Sequence, residues 1–235
     1  MGRPWKDAII SILEPRSPYA PWSAQRALRP ADDIVAVLDT DPPSVLTGVG
    51  SLGNDADIRA AIANSDPFLP RTLVERGTLN MFARSHEQVV SVLAAERWTR
   101  ADALFGHSTL IAGRILLGSG GRCTCCGAYL RLMDRDAREH VHIHTVDFDR
   151  GEPADWPATM CTQCHLQMRA LGFTNFLDFL FECRPGCPEC GAKHALTPLY
   201  GLPSRPVEEP WICEMGCSIT KFKPRWVCGS CRCSW

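Results

Sequence analysis

Apolar positions in the first half of the chain recur mainly at the spacing of helical turns. Segments 7–13 and 31–39, each bounded by prolines, are predicted as helices of one or two turns. Segment 54–64 combines a polar N-cap position with an alanine-rich body, which also predicts a helix. These patterns favour helix over strand in this part of the chain.

Two longer segments extend this pattern. Segment 85–98 begins with Ser85 and has Gln88 at the capping-box spacing, followed by a stripe of valine and leucine. Segment 99–118 carries a broad apolar face and ends at a glycine. Neither segment has a catalytic pattern. We therefore expect a helical N-terminal domain over residues 1–118, suited to docking partner proteins or positioning DNA.

The pattern changes after residue 118. His140, His142 and His144 alternate with other residues, so a strand would place all three imidazoles on one face. A loop rich in glycine and proline and a second short strand lead to Cys161, and helical spacing resumes from His165. The predicted order is strand, loop, strand and helix, which is a ββα unit.

Cysteine content separates the two halves further. All 13 cysteines follow residue 122, in a chain of 235 residues with a formal charge of −1. The odd total and the repeated C-x-x-C pairs favour zinc thiolates over disulfides. The charge near zero gives no sign of whole-chain attraction to nucleic acid and leaves room only for a local basic patch.

The four C-x-x-C pairs divide into two predicted zinc sites. Each pair forms a knuckle whose backbone amides can bind the thiolates, and two pairs complete a tetrahedral site. The first site would use Cys123, Cys126, Cys161 and Cys164, and the second Cys187, Cys190, Cys228 and Cys231. We expect two structural Zn²⁺ ions per chain.

The first zinc segment resembles the HNH endonucleases of the His-Me finger group. Their pattern, a histidine followed by isoleucine, a loop glycine and a closing C-x-x-C-H, is similar to His142-Ile143, Gly151 and Cys161 to His165 here. His142 and His165 are 23 residues apart, a spacing typical of the family. The resemblance covers about residues 119–172 and implies phosphodiester hydrolysis with a catalytic Mg²⁺ or Mn²⁺.

The resemblance also implies roles for individual residues. A neutral histidine would take a proton from the attacking water, with His142 as the first candidate and His144 as the second. His165, at the start of the predicted helix, would hold the catalytic metal. Asp147 and Asp149 are candidates for further oxygen ligands, although loop acids without a metal are commoner.

Three positions depart from the family pattern. Val141 stands where a metal-binding residue is frequent, Trp156 where an asparagine is usual, and Arg169 where some members have a further histidine. Asp155 could take the asparagine role, since its oxygen can hold a loop or an imidazole ring. These departures support an alternative function, a non-catalytic zinc adaptor with a degenerate HNH scaffold that binds DNA or protein.

The last segment resembles small bacterial zinc ribbons. Their pattern is C-P-x-C-G, Y-G-x-P, G-C and W-x-C-x-x-C before a final aromatic residue, and every element is present over residues 184–235. Basic and aromatic side chains are interleaved near its end, as on many nucleic-acid-binding surfaces, but a solvated charged hairpin has the same pattern. They are Lys221, Phe222, Lys223, Arg225, Trp226, Arg232 and Trp235.

The sequence therefore predicts an α+β protein of three parts. These are the helical domain over 1–118, the HNH-like zinc domain over 119–183 and the zinc ribbon over 184–235. The expected partners are DNA and other proteins of a bacterial restriction or anti-phage defence system. No membrane-spanning run or signal peptide is evident, so a cytoplasmic location is expected.

Overall fold

A computed structural model of the chain describes residues 4–18, 22–24, 27–55, 57–64, 66, 71–77, 90–94, 108–146, 155–203, 206–217 and 223–235. The chain divides into two compact units, Met1–Gly172 and Phe173–Trp235. Helices and strands occur in both units, which confirms the α+β class. The proposed division into three domains at 118/119 and 183/184 stays a prediction.

The first unit contains a five-stranded sheet. Its order is β1-β5-β2-β3-β4, with β5 and β2 parallel and the other neighbours antiparallel. The strands are β1 (Trp22–Ala24), β2 (Ile34–Leu38), β3 (Ser44–Leu46), β4 (Leu73–Glu75) and β5 (Val90–Ala94). Ala36 and Leu38 at the centre are fully buried, so the middle of the sheet belongs to the core of this unit.

The prediction of a helical N-terminal domain is wrong for two of its segments. Residues 31–39 contain strand β2, and residues 85–98 contain strand β5. These two strands pair in parallel, and parallel strands carry near-continuous apolar runs instead of a clear alternation. An apolar run of five residues does not distinguish a buried strand from a helix by its period. The valine and isoleucine content of Ile34–Leu38 was the better signal.

Three helices of the first half lie where the pattern predicted them. They are α1 (Pro4–Leu13), α2 (Ile58–Ala63) and α3 (Thr109–Gly118). Asp57 caps α2, because its side chain accepts a hydrogen bond of 2.9 Å from the backbone N–H of Arg59. Residues 95–107 lie outside the described residues, so the predicted start of the last helix is not tested there.

Helix α1 is buried almost all around. Trp5, Ile9 and Ile10 have no exposed surface, and even Lys6 is only 3% exposed. Helix α3 packs closely against α1 and β4, since a Cβ atom at Gly113 would lie 2.8 Å from Leu73 Cδ1 and 3.0 Å from Ile9 Cδ1. Glycine therefore permits the close contact between these elements.

The segment with the three histidines folds as a pair of strands and a helix. A short helix α4 (Ala137–His140) leads into β6 (Val141–His144), which pairs antiparallel with β7 (Ala158–Cys161), and α5 (Thr162–Ala170) follows directly. Helix α3 contacts both strands, and Thr159 Oγ1 donates to the carbonyl oxygen of Ile115 at 3.3 Å. This pair of strands is therefore supported by the helix that also packs on the large sheet.

The second unit combines one helix with a small sheet. Helix α6 (Phe176–Glu182) supplies the buried Phe176, Phe179 and Leu180. The strands are β8 (Ala195–Tyr200), β9 (Ile212–Gly216) and β10 (Val227–Cys228), with β8 between the other two. Strand β8 is antiparallel to β10 and parallel to β9.

Within the described part of the chain, every helix falls short of the length and apolar character that crossing a bilayer requires.

Candidate zinc centres and histidine site

The first cysteine quartet is formed by a knuckle and by the junction of β7 with α5. The Sγ atoms of Cys123, Cys126, Cys161 and Cys164 all lie within 4.8 Å of one another. Cys161 is the last residue of β7 and Cys164 lies in the first turn of α5. Four thiolates at this separation suit one tetrahedral Zn²⁺, so the quartet could hold the ion that the spacing predicted.

The knuckle at Cys123 has a specific backbone geometry. The N–H of Gly127 donates to the carbonyl oxygen of Cys123 at 2.8 Å, and the N–H of Cys123 donates to that of Ala128 at 2.8 Å. Gly127 closes the turn with a φ of +72°, a left-handed conformation that glycine adopts without a steric penalty. The N–H of Cys161 points at Cys123 Sγ from 3.4 Å and would stabilise its thiolate.

The second quartet repeats this geometry in the other unit. The Sγ atoms of Cys187, Cys190, Cys228 and Cys231 lie within 4.8 Å of one another and could hold a second Zn²⁺. Gly191 has the same φ of +72° and donates to the carbonyl oxygen of Cys187 at 2.9 Å. The quartet thus has a knuckle of the same design as the one at Cys123.

The knuckle at Cys228 differs at one position. Arg232 occupies the left-handed position with a φ of +64° and donates to the carbonyl oxygen of Cys228 at 3.0 Å. The N–H of Cys231, assisted by that of Ser230 and opposed by burial, lowers the pKa of the Cys228 thiol to about 6. A thiol with a low pKa is readily available as the thiolate that zinc requires.

Five cysteines remain outside the two quartets. They are Cys125, Cys183, Cys213, Cys217 and Cys233. None of the 13 cysteines forms a disulfide. Cys217 is exposed and belongs to neither quartet.

Two of the predicted histidines stack on each other. The ring centroids of His142 and His165 are 4.0 Å apart, and their planes differ by 14°. His142 lies on β6 opposite Met160 of β7, and His165 lies in the first turn of α5. The structure therefore brings together the two residues that the 23-residue spacing singled out.

The third histidine of the site is paired with a carboxylate. His144 Nε2 is 2.5 Å from Asp155 Oδ2, and both side chains are largely buried. Asp155 is held in turn by the backbone N–H of Trp156, which donates to Oδ1 at 2.7 Å. Asp155 thus contacts an imidazole ring. This is one of the two contacts that the sequence indicated for its carboxylate oxygen.

His165 has a buried ring nitrogen without a hydrogen-bond partner among the described residues. Its Nδ1 atom makes no hydrogen bond to any described residue. Burial, the charge of Arg169 one turn later and the nearby His144 lower the pKa of His165, so its ring is neutral near pH 7. A neutral imidazole with an unused lone pair is the form that binds a metal ion.

The prediction that His140 shares the strand face is wrong. His140 is the last residue of helix α4, where its Nε2 pairs with Asp136 Oδ2 at 2.7 Å across one helical turn. The alternation of histidines predicted a strand that includes His140. The i,i+4 pair with Asp136 instead stabilises a helical conformation at His140, so the strand begins one residue later.

The hydroxyl of Thr162 lies between His140 and His142. Thr162 Oγ1 is 3.4 Å from His142 Nε2 and 3.4 Å from His140 Nδ1. It also donates to the carbonyl oxygen of His140 at 3.2 Å. Thr162 was not among the predicted site residues, and its only signal in the sequence was its position directly after Cys161.

Helix α1 supports the start of the histidine strand. Lys6 Nζ donates to the carbonyl oxygen of Val141 at 2.5 Å and to that of Arg138. Asp7 Oδ2 forms an ion pair of 3.0 Å with Arg138. Burial raises the pKa of Asp7, while the charges of Arg138 and Lys6 oppose the rise. A contact between residues 6 and 141 has no signal in one sequence.

Several predicted residues have no described position, and one other lies in the core. Asp147, Asp149 and Gly151 fall among residues 147–154, beyond the described residues. Val141 is 2% exposed, so its side chain belongs to the core, and it lies opposite Cys161 in the strand pair. Among the described residues, only the two cysteine quartets bring three or more potential ligand atoms together.

The basic and aromatic residues of the second unit are partly in contact. Arg225 lies 5.7 Å from the ring of Trp226, and both backbone N–H groups donate to the carbonyl oxygen of Trp235. Arg232 points to Cys213 Sγ at 3.8 Å. Lys221 and Phe222 are outside the described residues, and DNA contact at this surface stays a prediction.

Comparison of the chain with models of known protein families, with curated proteins and with solved structures found no match. The function has to be inferred from the geometry of the chain's own residues.

Proposed function

We propose that the protein is a metal-dependent DNA endonuclease of the HNH type, of the kind used in bacterial restriction and anti-phage defence. The observation that supports it is the meeting of His142, His144 and His165 on β6 and α5 beside a cysteine quartet. We also propose that the zinc segment of the first unit is HNH-like and that the second unit is a zinc ribbon.

The general base of the proposed reaction is a histidine of β6. A base has to be oriented by a second group, and the carboxylate of Asp155 at 2.5 Å does this for His144. The ring of His142, by contrast, is stacked on His165. The geometry thus favours His144 over His142, the reverse of the order suggested by the spacing. With Nε2 facing Asp155, the proton from water would pass to Nδ1.

His165 would hold the catalytic cation through Nδ1, the buried atom without a protein partner. A bound Mg²⁺ or Mn²⁺ would polarise the scissile phosphate and stabilise the charge of the leaving oxygen. Such ions keep waters and take substrate phosphate oxygens as ligands, so one or two protein ligands suffice. Asp147 and Asp149 remain candidates for the second.

Nicking of supercoiled plasmid in Mg²⁺ or Mn²⁺ tests the proposal. Wild type is compared with His142→Ala, His144→Ala and His165→Ala, with two zinc ions per chain verified in each variant. Loss of a general base lowers such rates by roughly 10²- to 10⁴-fold, and we expect this from His144→Ala. Leu171→Ala, which changes an exposed residue beyond α5, serves as the control and should nick like wild type.

A wild-type protein that never nicks or cuts DNA with either metal contradicts the proposal. So would three histidine variants that all cleave at the wild-type rate. Separate effects of His142→Ala and His144→Ala would identify which of them is the base.

The second candidate function is a zinc adaptor that binds DNA or protein without cleaving. It is favoured by the absence of a third ligand group among the described residues and by the inward position of Val141. DNA binding that persists in all three histidine variants, with no cleavage in any metal, would support this adaptor over the nuclease.

A further inference from the structure

A cavity of about 540 Å³ lies beside the histidine site, entirely within the first unit. Thr162 and Leu166 of α5 form one side, and His140 lines another. The segment that follows the knuckle at Cys123 completes it with Tyr129 and Arg131. The cavity therefore connects the zinc knuckle with the start of α5.

The walls of the cavity offer an aromatic surface. The side chain of Tyr129 is 71% exposed, and Leu166 is 57% exposed. The guanidinium of Arg122 lies 3.7 Å from the ring centroid of Tyr129 and also hydrogen-bonds its hydroxyl, which fixes the ring. An exposed aromatic ring held in place is a surface on which a nucleobase can stack.

The polar groups of the cavity suit a ligand that has both a negative charge and hydrogen-bonding groups. The side chain of Arg131 makes no ion pair or hydrogen bond to a described residue, and no carboxylate lines this cavity. The side-chain amide of Gln163 adds a donor and an acceptor. A guanidinium free to bind phosphate beside an aromatic ring is the combination found where single-stranded nucleic acid binds.

The cavity shares one side chain with the histidine site. Thr162 lines the cavity, and its hydroxyl is 3.4 Å from Nε2 of His142. A ligand in the cavity would therefore lie next to the histidines that we propose to act on phosphate.

We propose that this cavity binds an unpaired nucleobase together with its phosphate. The base stacks on Tyr129, the phosphate pairs with Arg131, and the strand continues past Thr162 to the histidines. The class of ligand rests on the proposed nuclease function. The substrate is then a DNA strand that is single or locally opened at this nucleotide.

Binding without cleavage tests this inference. Fluorescence anisotropy of a labelled single-stranded oligonucleotide is measured with the full zinc-loaded chain in the absence of Mg²⁺ and Mn²⁺. Loss of one stacked base in Tyr129→Ala should weaken the affinity at least about fivefold, whereas Tyr129→Trp should retain it. Arg131→Ala should weaken it too and reduce the slope of log K against log salt by about 0.7. Leu171→Ala serves as the control.

An abasic scan makes the test specific to one nucleotide. Oligonucleotides that lack a single base are bound to wild type and to Tyr129→Ala. We expect one position at which base removal weakens binding to wild type at least about fivefold and has no further effect on Tyr129→Ala. Additive losses at every position would overturn the proposed contact.

The outcomes separate this inference from the proposed function. Single-strand binding that depends on Tyr129 and Arg131 supports the cavity even if no cleavage is ever detected. Cleavage by a protein whose single-strand binding is indifferent to Tyr129→Ala overturns the cavity and leaves the nuclease intact. Equal affinity of Tyr129→Ala and wild type for every oligonucleotide likewise overturns it.

Discussion

At the scale of single residues, the three knuckles differ in one backbone position. Gly127 and Gly191 have a φ of +72°, and Arg232 has a φ of +64°. A Cβ atom at either glycine would meet no heavy atom within 4 Å, so a side chain there changes only the backbone energy. Substitutions at these two glycines therefore measure the cost of the left-handed backbone conformation without a change in packing.

We expect Gly127→Ala and Gly191→Ala to lower the free energy of unfolding by roughly 1 kcal/mol each, the penalty of the left-handed region for an L-residue. Arg232→Gly is the matched control and should change the free energy of unfolding little. Glycine relieves the strain of the left-handed conformation, but its greater entropy in the unfolded chain offsets that gain. Urea unfolding of the zinc-loaded protein measures all three. Equal losses in the three variants would show that the backbone conformation is not the cause.

A second prediction at this scale concerns Asp155. Its carboxylate orients His144 in the proposed mechanism, so Asp155→Ala should lower the rate of plasmid nicking by roughly 10- to 100-fold, as for other groups that orient a working histidine. Asp155→Asn keeps an acceptor oxygen and should retain more of the rate. If Asp155→Ala nicks at the wild-type rate, His144 is not the base that this carboxylate orients.

The cysteine quartets and the proximity of His142 to His165 were predictable because they depend on short spacings. The C-x-x-C pairs and the separation of 23 positions between His142 and His165 are local or nearly local signals. For Asp155, the sequence indicated that its carboxylate could hold either a loop or an imidazole ring, but not that the ring would be that of His144. The contacts of Thr162 and Lys6 could not be predicted, because a hydrogen bond between distant residues leaves no pattern in a single sequence.

At the scale of elements, α1 and β6 depend on each other. Lys6 is 3% exposed and satisfies two carbonyl oxygens, those of Arg138 and Val141, at the junction of α4 and β6. A buried carbonyl without a donor costs about 1–3 kcal/mol. The first helix therefore fixes the backbone that leads to His142 and His144.

Lys6→Met removes the donor while keeping most of the side-chain volume. We expect it to lower the free energy of unfolding of the first unit by about 2 kcal/mol or more. Lys193→Met is the control, because Lys193 is half exposed and its contacts with Glu182 are worth little. Chemical denaturation followed by tryptophan fluorescence compares the two, and similar losses would contradict the role given to Lys6.

Helices of the first half were predictable from the sequence, whereas its strands were not. The helices α1, α2 and α3 were predicted because propensity and capping are local. Strands β2 and β5 were not, because each depends on a parallel partner more than 50 residues away and neither alternates. The histidine strand was predicted with its start at the wrong residue, since the pair of His140 with Asp136 extends α4.

At the scale of the whole molecule, metal content is the simplest test of the architecture. Both quartets should be loaded in the native protein, so we expect two zinc ions per chain by elemental analysis. A strong chelator together with denaturant should release both ions and make all 13 thiols reactive. Disulfides in place of reactive thiols, or a zinc content of zero, would overturn the assignment of the quartets.

The link between Lys6 and Val141 also has a consequence for synthesis of the protein. The two residues are 135 positions apart, and a ribosome adds roughly 5–20 residues per second. The Lys6 ammonium therefore exists for on the order of 7–27 seconds before its carbonyl partner at Val141 is synthesised. Truncating the first helix would consequently damage a site that is formed far later in translation.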